Sequence, residues 1–188
     1  MKAAVFAAIV PLVLAMPAQA ADTGAMAKAA SDFYAVYSSF HQRLDGIPDA
    51  KARAKFAPVI SDRLNGLIVR ARAAEVTFTN AYKDSPPFVE GDLFTSNYEG
   101  ATSYKIGACT GDDRSGHCTM ALTYDPRVVG DTQNKPMHWT DTAYVVNTPS
   151  GWKLDDIGFG GNWDFANKGK VSQTLDMVIK TAGGGGTP

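Results

Sequence analysis

Residues 138–157 read HWTDTAYVVNTPSGWKLDDI, and this stretch decides the fold. Two runs rich in β-branched and aromatic residues, His138–Asn147 and Trp152–Phe159, flank the turn-forming Asn147-Thr148-Pro149-Ser150-Gly151. That pattern specifies a β-hairpin. If Val146 stands opposite Gly151, alternation sorts the side chains into two sets. Trp139, Asp141, Ala143, Val145, Trp152, Leu154 and Asp156 fall on one side; His138, Thr140, Thr142, Tyr144, Val146, Lys153, Asp155 and Ile157 fall on the other. The first set is the more apolar, so it is the one to be buried, and burial sets register. On that register Asp141 faces Asp156, deep among tryptophans.

Two carboxylates so placed cannot both ionise cheaply, and the pair would hold a proton near neutrality. Three readings stay open. The pair is an acid/base dyad, or it lines a polar pocket, or each carboxylate accepts hydrogen bonds from backbone amides, an indole or an arginine. Asp141 and Asp156 are thus the candidate catalytic residues, and Trp139, Trp152, Leu154, Phe94 and Tyr98 the candidate pocket. Other chemistry is weakly signalled. His41, His117 and His138 share no face, no G-x-S-x-G nucleophile signal occurs, and Gly158, Gly160 and Gly161 read as a bend before Trp163. No cofactor or metal is expected.

Working outward, strands are expected at Thr102–Ala108 and Cys118–Asp125 as well, with a long polar connection from Asp125-Pro126 to Pro136. Upstream the period changes to that of helices. Met26, Ala29, Ala30, Phe33, Val36, Tyr37, Phe40 and Leu44 form one stripe over residues 25–44. Pro48 and Asp49 open a short helix to about Phe56. Ser61 is the expected N-cap of a third helix with the stripe Leu64, Leu67, Ile68, Ala71 and Phe78. Arg63, Arg70 and Arg72 lie off that stripe and read as a solvated face. A last helix spans about Lys170 to Ala182. Helices first, then strands, then a closing helix imply an α+β fold, with helices packed on a curved antiparallel sheet of about four strands.

The first twenty residues have the form of a signal peptide: Lys2, an apolar run from Ala3 to Met16, then Pro17-Ala18-Gln19-Ala20. Cleavage after Ala20 places residues 21–182 in one exported domain, periplasmic or secreted, with a disordered glycine-rich tail at 183–188. Removing Lys2 from 18 basic residues leaves 17 against 19 acidic ones, a net charge near −2. That balance gives no reason to bind nucleic acid. No second long apolar run follows Ala20, and residue 21 is alanine rather than a lipid-bearing cysteine, so no membrane insertion is expected after cleavage. Cys109 and Cys118 flank a short polar tract and are expected to pair in an oxidising compartment. A zinc site with His117 is the rival, though zinc sites usually show tighter cysteine spacing and a second ligand pair.

Four segments carry a resemblance: Phe88-Val89-Glu90-Gly91-Asp92-Leu93-Phe94-Thr95-Ser96, Trp139-Thr140-Asp141-Thr142, Gly151-Trp152-Lys153-Leu154-Asp155-Asp156-Ile157 and Trp163-Asp164-Phe165. They resemble an uncharacterised family of exported bacterial proteins and lipoproteins, over about residues 28 to 182. The resemblance implies a nuclear transport factor 2-like, cone-shaped α+β fold and export, and it names no activity. Ketosteroid isomerase-like members of the wider superfamily use pocket aspartates and tyrosines, but Asp141, Asp156 and Tyr144 do not map onto them. The expected function is therefore a non-enzymatic binding or accessory module, holding a small apolar ligand or an envelope protein at the open end of the cone. The alternatives are a hydrolase or isomerase using the aspartate pair, and an immunity protein that neutralises a periplasmic toxin.

Overall fold

The computed structural model describes residues 22–40 and 45–183. The expected signal peptide, His41 and the tail beyond Gly183 lie outside the described residues. Each helix starts where a polar side chain caps it. Asp22 accepts a hydrogen bond from Ala25 N (2.9 Å) to open α1, Thr23–Ser38. Asp49 accepts from Ala52 N (2.8 Å) to open α2, Ala50–Phe56. Ser61 accepts from Leu64 N (3.0 Å) to open α3, Asp62–Ala81. Each cap satisfies an amide that the helix itself leaves without a partner. The closing helix α4 runs over Val171–Gly183.

The strands β1 (Ser103–Gly111), β2 (Ser115–Tyr124), β3 (Met137–Thr148) and β4 (Gly151–Gly158) form an antiparallel sheet in the order β1-β2-β3-β4. The sheet is not closed. Helix α1 lies across all four strands, and α3 packs on α4 beside β4. Met26, Phe33 and Tyr34 of α1 meet Met120 and Leu122 of β2, Ala143 and Val145 of β3, and Leu154 and Ile157 of β4 in one core. Tyr34, which the helical stripe left out, is fully buried. It packs between the rings of Phe33 (5.2 Å) and Tyr104 (5.3 Å).

The first hairpin extends past both cysteines. Cys109 and Cys118 are cross-strand neighbours joined by a disulfide, and the turn is carried farther out by Asp112. Its Oδ1 accepts from Arg114 N (2.8 Å) and Ser115 N (2.9 Å).

The second hairpin departs from the expected register. Val145 pairs with Leu154 but Tyr144 pairs with Asp156, so Asp155 is the extra residue of a β-bulge. Beyond the bulge the alternation reverses. Ile157, expected outside, pairs with Ala143 and is buried; Asp156 leaves the Asp141 set and joins the Tyr144 set. The outer edge of β4 is covered. Leu154 N donates to Val59 O (3.0 Å), Ser61 N donates to Leu154 O (2.7 Å), and Phe159 N donates to Gly169 O (2.9 Å).

Closing a loop of nine residues stabilises by about 2–3 kcal/mol in the chain-entropy account. Reducing the disulfide should therefore lower the unfolding free energy, read from urea titrations with and without dithiothreitol, by about that amount. Superimposable titrations would contradict this account of the hairpin.

Candidate functional site

Residues Asp92 to Asn97 are all buried, yet they form neither helix nor strand. Backbone groups in such a segment must find partners elsewhere. Two aspartates supply much of this. Asp92 accepts from Phe94 N (2.7 Å) and from the Tyr37 hydroxyl (2.8 Å), and that hydroxyl itself accepts from Ala101 N (2.9 Å). Asp141 accepts four hydrogen bonds: from Ser96 N (2.9 Å), the Ser96 hydroxyl, Trp139 Nε1 (3.0 Å) and Gly160 N (2.9 Å). The Ser96 hydroxyl accepts in turn from Gly161 N (2.9 Å). Asn167 closes the knot, its Nδ2 donating to Asp92 O (3.1 Å) and Thr95 O (2.8 Å). Gly100 turns the chain back at φ +83°, where a Cβ would sit 2.7 Å from the Tyr37 hydroxyl and 3.2 Å from Asp92 Oδ2.

Asp156 is engaged elsewhere. It accepts from Ile157 N (2.9 Å), Ser172 N (3.0 Å) and the Ser172 hydroxyl (2.6 Å), so it caps the start of α4 from a neighbouring strand. The bulge residue Asp155 accepts from the Ser61 hydroxyl and from Arg63 Nε, and Arg63 Nη2 reaches the Asp155 carbonyl (2.6 Å). Arg63 and Arg72, expected on a solvated face, stay nearly half exposed there and also pair with neighbouring carboxylates. Arg72 pairs with the buried Glu75 at 2.7 Å.

The expected dyad is therefore not assembled: Asp141 and Asp156 belong to opposite side-chain sets and have separate partners. Of the candidate pocket residues, Phe94 and Leu154 are fully buried and Trp139 nearly so, Trp152 is half-buried opposite Asn147, and Tyr98 is 52% exposed. Phe94 fills the interior, its ring 5.3 Å from Phe33 and 5.0 Å from Phe56.

The knot contains titrating groups that the sequence reading passed over. Burial lifts the Asp92 carboxyl to about 7, against the opposing pull of the Tyr37 hydroxyl and the Phe94 and Thr95 amides, with the Asp141 charge adding a smaller upward push. Burial, then the Asp92 charge, holds the Tyr37 hydroxyl well above its ordinary range. The Tyr34 hydroxyl is raised by burial, then by the Asp141 and Asp92 charges, and it has no hydrogen-bond partner among the described residues. The one sequence signal was an acid set in an apolar run, Gly91-Asp92-Leu93-Phe94.

Open concavities lie away from this knot. A groove of about 440 Å³ is bounded by Phe40, Ile47, Pro48, Lys51, Lys55 and Arg72. Another of about 460 Å³ lies by Pro58, Pro149 and Lys153. A third, of about 360 Å³, lies by Gly116, His117, Tyr144 and Asp155. None is lined by Asp92, Asp141, Phe94 or Trp139. Among the described residues, no three His, Cys, Asp or Glu side chains cluster as metal ligands, and no helix is long and apolar enough to cross a membrane. No family model, curated protein or solved structure matches the chain.

Two outcomes follow from the knot. Asp141→Ala strands three buried donors and the half-buried Gly160 amide, and should cost at least about 3 kcal/mol in chemical denaturation, against roughly 1 kcal/mol for the capping Asp156. Equal losses would contradict the assignment. Asp92 has a folded pKa near 7 and an unfolded value near 3.9, so the native state binds the extra proton between them. Its contribution is fully present below about pH 4, is lost as pH rises, and levels off above about 7, a span of up to about 4 kcal/mol. The stability of wild type relative to Asp92→Asn should fall from pH 5 to pH 8 by a large part of that span; parallel pH profiles would contradict it.

Proposed function

We propose that this chain is an exported, non-enzymatic binding or accessory module of the bacterial periplasm. On this reading its α+β fold is of the nuclear transport factor 2-like type. Export is supported by the signal-like first twenty residues and by the Cys109–Cys118 disulfide, a bond that persists in oxidising compartments.

The observation that carries the binding reading is the groove between the end of α1 and α2. At about 440 Å³ it falls within the range of small-molecule sites. It joins apolar walls, Phe40, Ile47 and Pro48, to a few charged groups. The apolar interior beneath the sheet is filled by Phe94 instead. The ligand position thus moves from the cone interior to its helical rim. The alternative of a hydrolase or isomerase working through Asp141 and Asp156 lacks the adjacency that it requires.

Native mass spectrometry of protein purified from its own envelope tests the reading. A retained small mass that is lost in Ser39→Trp, which fills the groove from its exposed rim, is the expected result. A stoichiometric protein partner unaffected by Ser39→Trp would favour the toxin-neutralising alternative. Recovery of the bare chain from every preparation would count against a ligand-holding role.

A further inference from the structure

We propose that this chain associates with copies of itself head to tail. The Asp164-Phe165 tip of one copy enters a trough between α2 and α3 of the next. The inference does not rest on the ligand reading.

Phe165 is 84% exposed, the most of any large apolar side chain among the described residues. The loop that carries it is fixed on both sides. Trp163 sets its ring edge-on to Trp139 at 5.8 Å, and Ala166 is buried. Ala166 N donates to Trp163 O (3.2 Å), and Lys168 Nζ donates to Gly161 O (2.8 Å) and Trp163 O (3.0 Å). Asn167 N donates to Ser96 O (2.8 Å), which ties the loop to the buried knot. An aromatic ring held out in one position loses little freedom on docking, which suits an anchor residue.

The trough holds about 300 Å³, the lower end for a small-molecule site, so it suits one side chain better than a whole ligand. Its floor is a second apolar stripe on α3: Val69, Ala73 and Val76, on the side away from the core stripe of Leu64, Leu67, Ile68 and Ala71. Val69 is 44% exposed and Val76 41%. The water-facing side of a helix is ordinarily polar, and an apolar stripe set there in a hollow is the form a contact surface takes.

Charge selects the occupant. Arg53 and Arg72 stand beside the apolar floor, and none of the lining residues is acidic. Arg72 is matched by Glu75, whereas Arg53 Nη1 donates to the neutral Asn65 amide oxygen (3.0 Å). Two troughs meeting face to face would bring arginines onto arginines, so the trough is poorly made for its own image. It complements an acid set beside an apolar side chain. Asp164 and Phe165 supply that pair, and among the described residues neither Asp164 nor Arg53 has an ion-pair partner. Tip and trough are different patches of one chain, so the contact repeats. It closes into a ring if the rotation allows and otherwise extends as a filament.

Sedimentation equilibrium of the chain beginning at Ala21 tests this. Its average mass should rise with concentration, with the weak affinity of a small contact. Phe165→Ala and, separately, Val76→Glu should each weaken association at least about tenfold. Both positions are exposed, so the circular dichroism spectra should not change. A mixture of the two variants is the decisive arm. The Phe165→Ala copy keeps its trough and the Val76→Glu copy keeps its tip, so together they should form one pair and grow no further. Asp164→Arg should also weaken association, and adding Arg53→Asp to the same chain should restore part of it.

A single-chain mass at every concentration would overturn the proposal. So would association indifferent to Phe165→Ala and Val76→Glu, or a mixture that forms no pair. A single-chain mass together with an acidic amphipathic peptide seated on Val69 and Val76 would assign the trough to another protein and overturn self-association.

Discussion

An irregular segment can lie inside a protein only if each amide it buries meets an acceptor, and Asp141 meets that demand for parts of the chain far apart in sequence. Its carboxylate joins the buried Ser96 turn, the Gly160 bend after β4 and the indole of its own strand neighbour Trp139. Without it the Ser96 amide, two residues from Phe94, would lie unpaired in the core. The aromatic filling of the fold therefore depends on a polar contact. Asp92 makes a smaller copy of the arrangement on the α1 side through Tyr37. Since one member of this network titrates near neutrality and the Tyr34 hydroxyl beside it has no partner, the network holds the loop in place at a cost in desolvation.

The helices and most of the sheet were legible because their signals are local. Ser61 as a cap, the Leu64-Leu67-Ile68-Ala71-Phe78 stripe and the Trp139-Asp141-Ala143-Val145 set each follow from a period that the chain repeats. The β1–β2 and β3–β4 pairings followed from short connections, while a longer polar link joins β2 to β3. The disulfide followed from compartment and spacing, although the strands run past both cysteines.

The bulge at Asp155 was not legible. Leu154-Asp155-Asp156-Ile157 fits either register on alternation alone. The choice is made by Ser61 and Arg63, more than ninety positions upstream, which hold the Asp155 carboxylate, and by Ser172, which claims Asp156. Both aspartates were expected to be buried and both are, at 0% and 6% exposure, but burial did not make them neighbours. The buried loop was equally opaque, because its amides are satisfied from across the fold. The groove was invisible for a third reason: its walls come from the end of α1 and from α2, and nothing in either periodicity says that the two enclose a hollow.

The asymmetry of the sheet has its own result. Along the β4 side, the Val59–Ser61 and Gly169 segments already occupy backbone groups that a foreign strand would need. Along the β1 side, among the described residues, no such segment docks. Two copies meeting edge to edge through β1 would form one continuous eight-stranded surface with both rims sealed. Growth would stop there, since neither rim offers a template for a third chain. Among the described residues, the two edges of the sheet therefore differ, and a pairing through β1 would end with two copies.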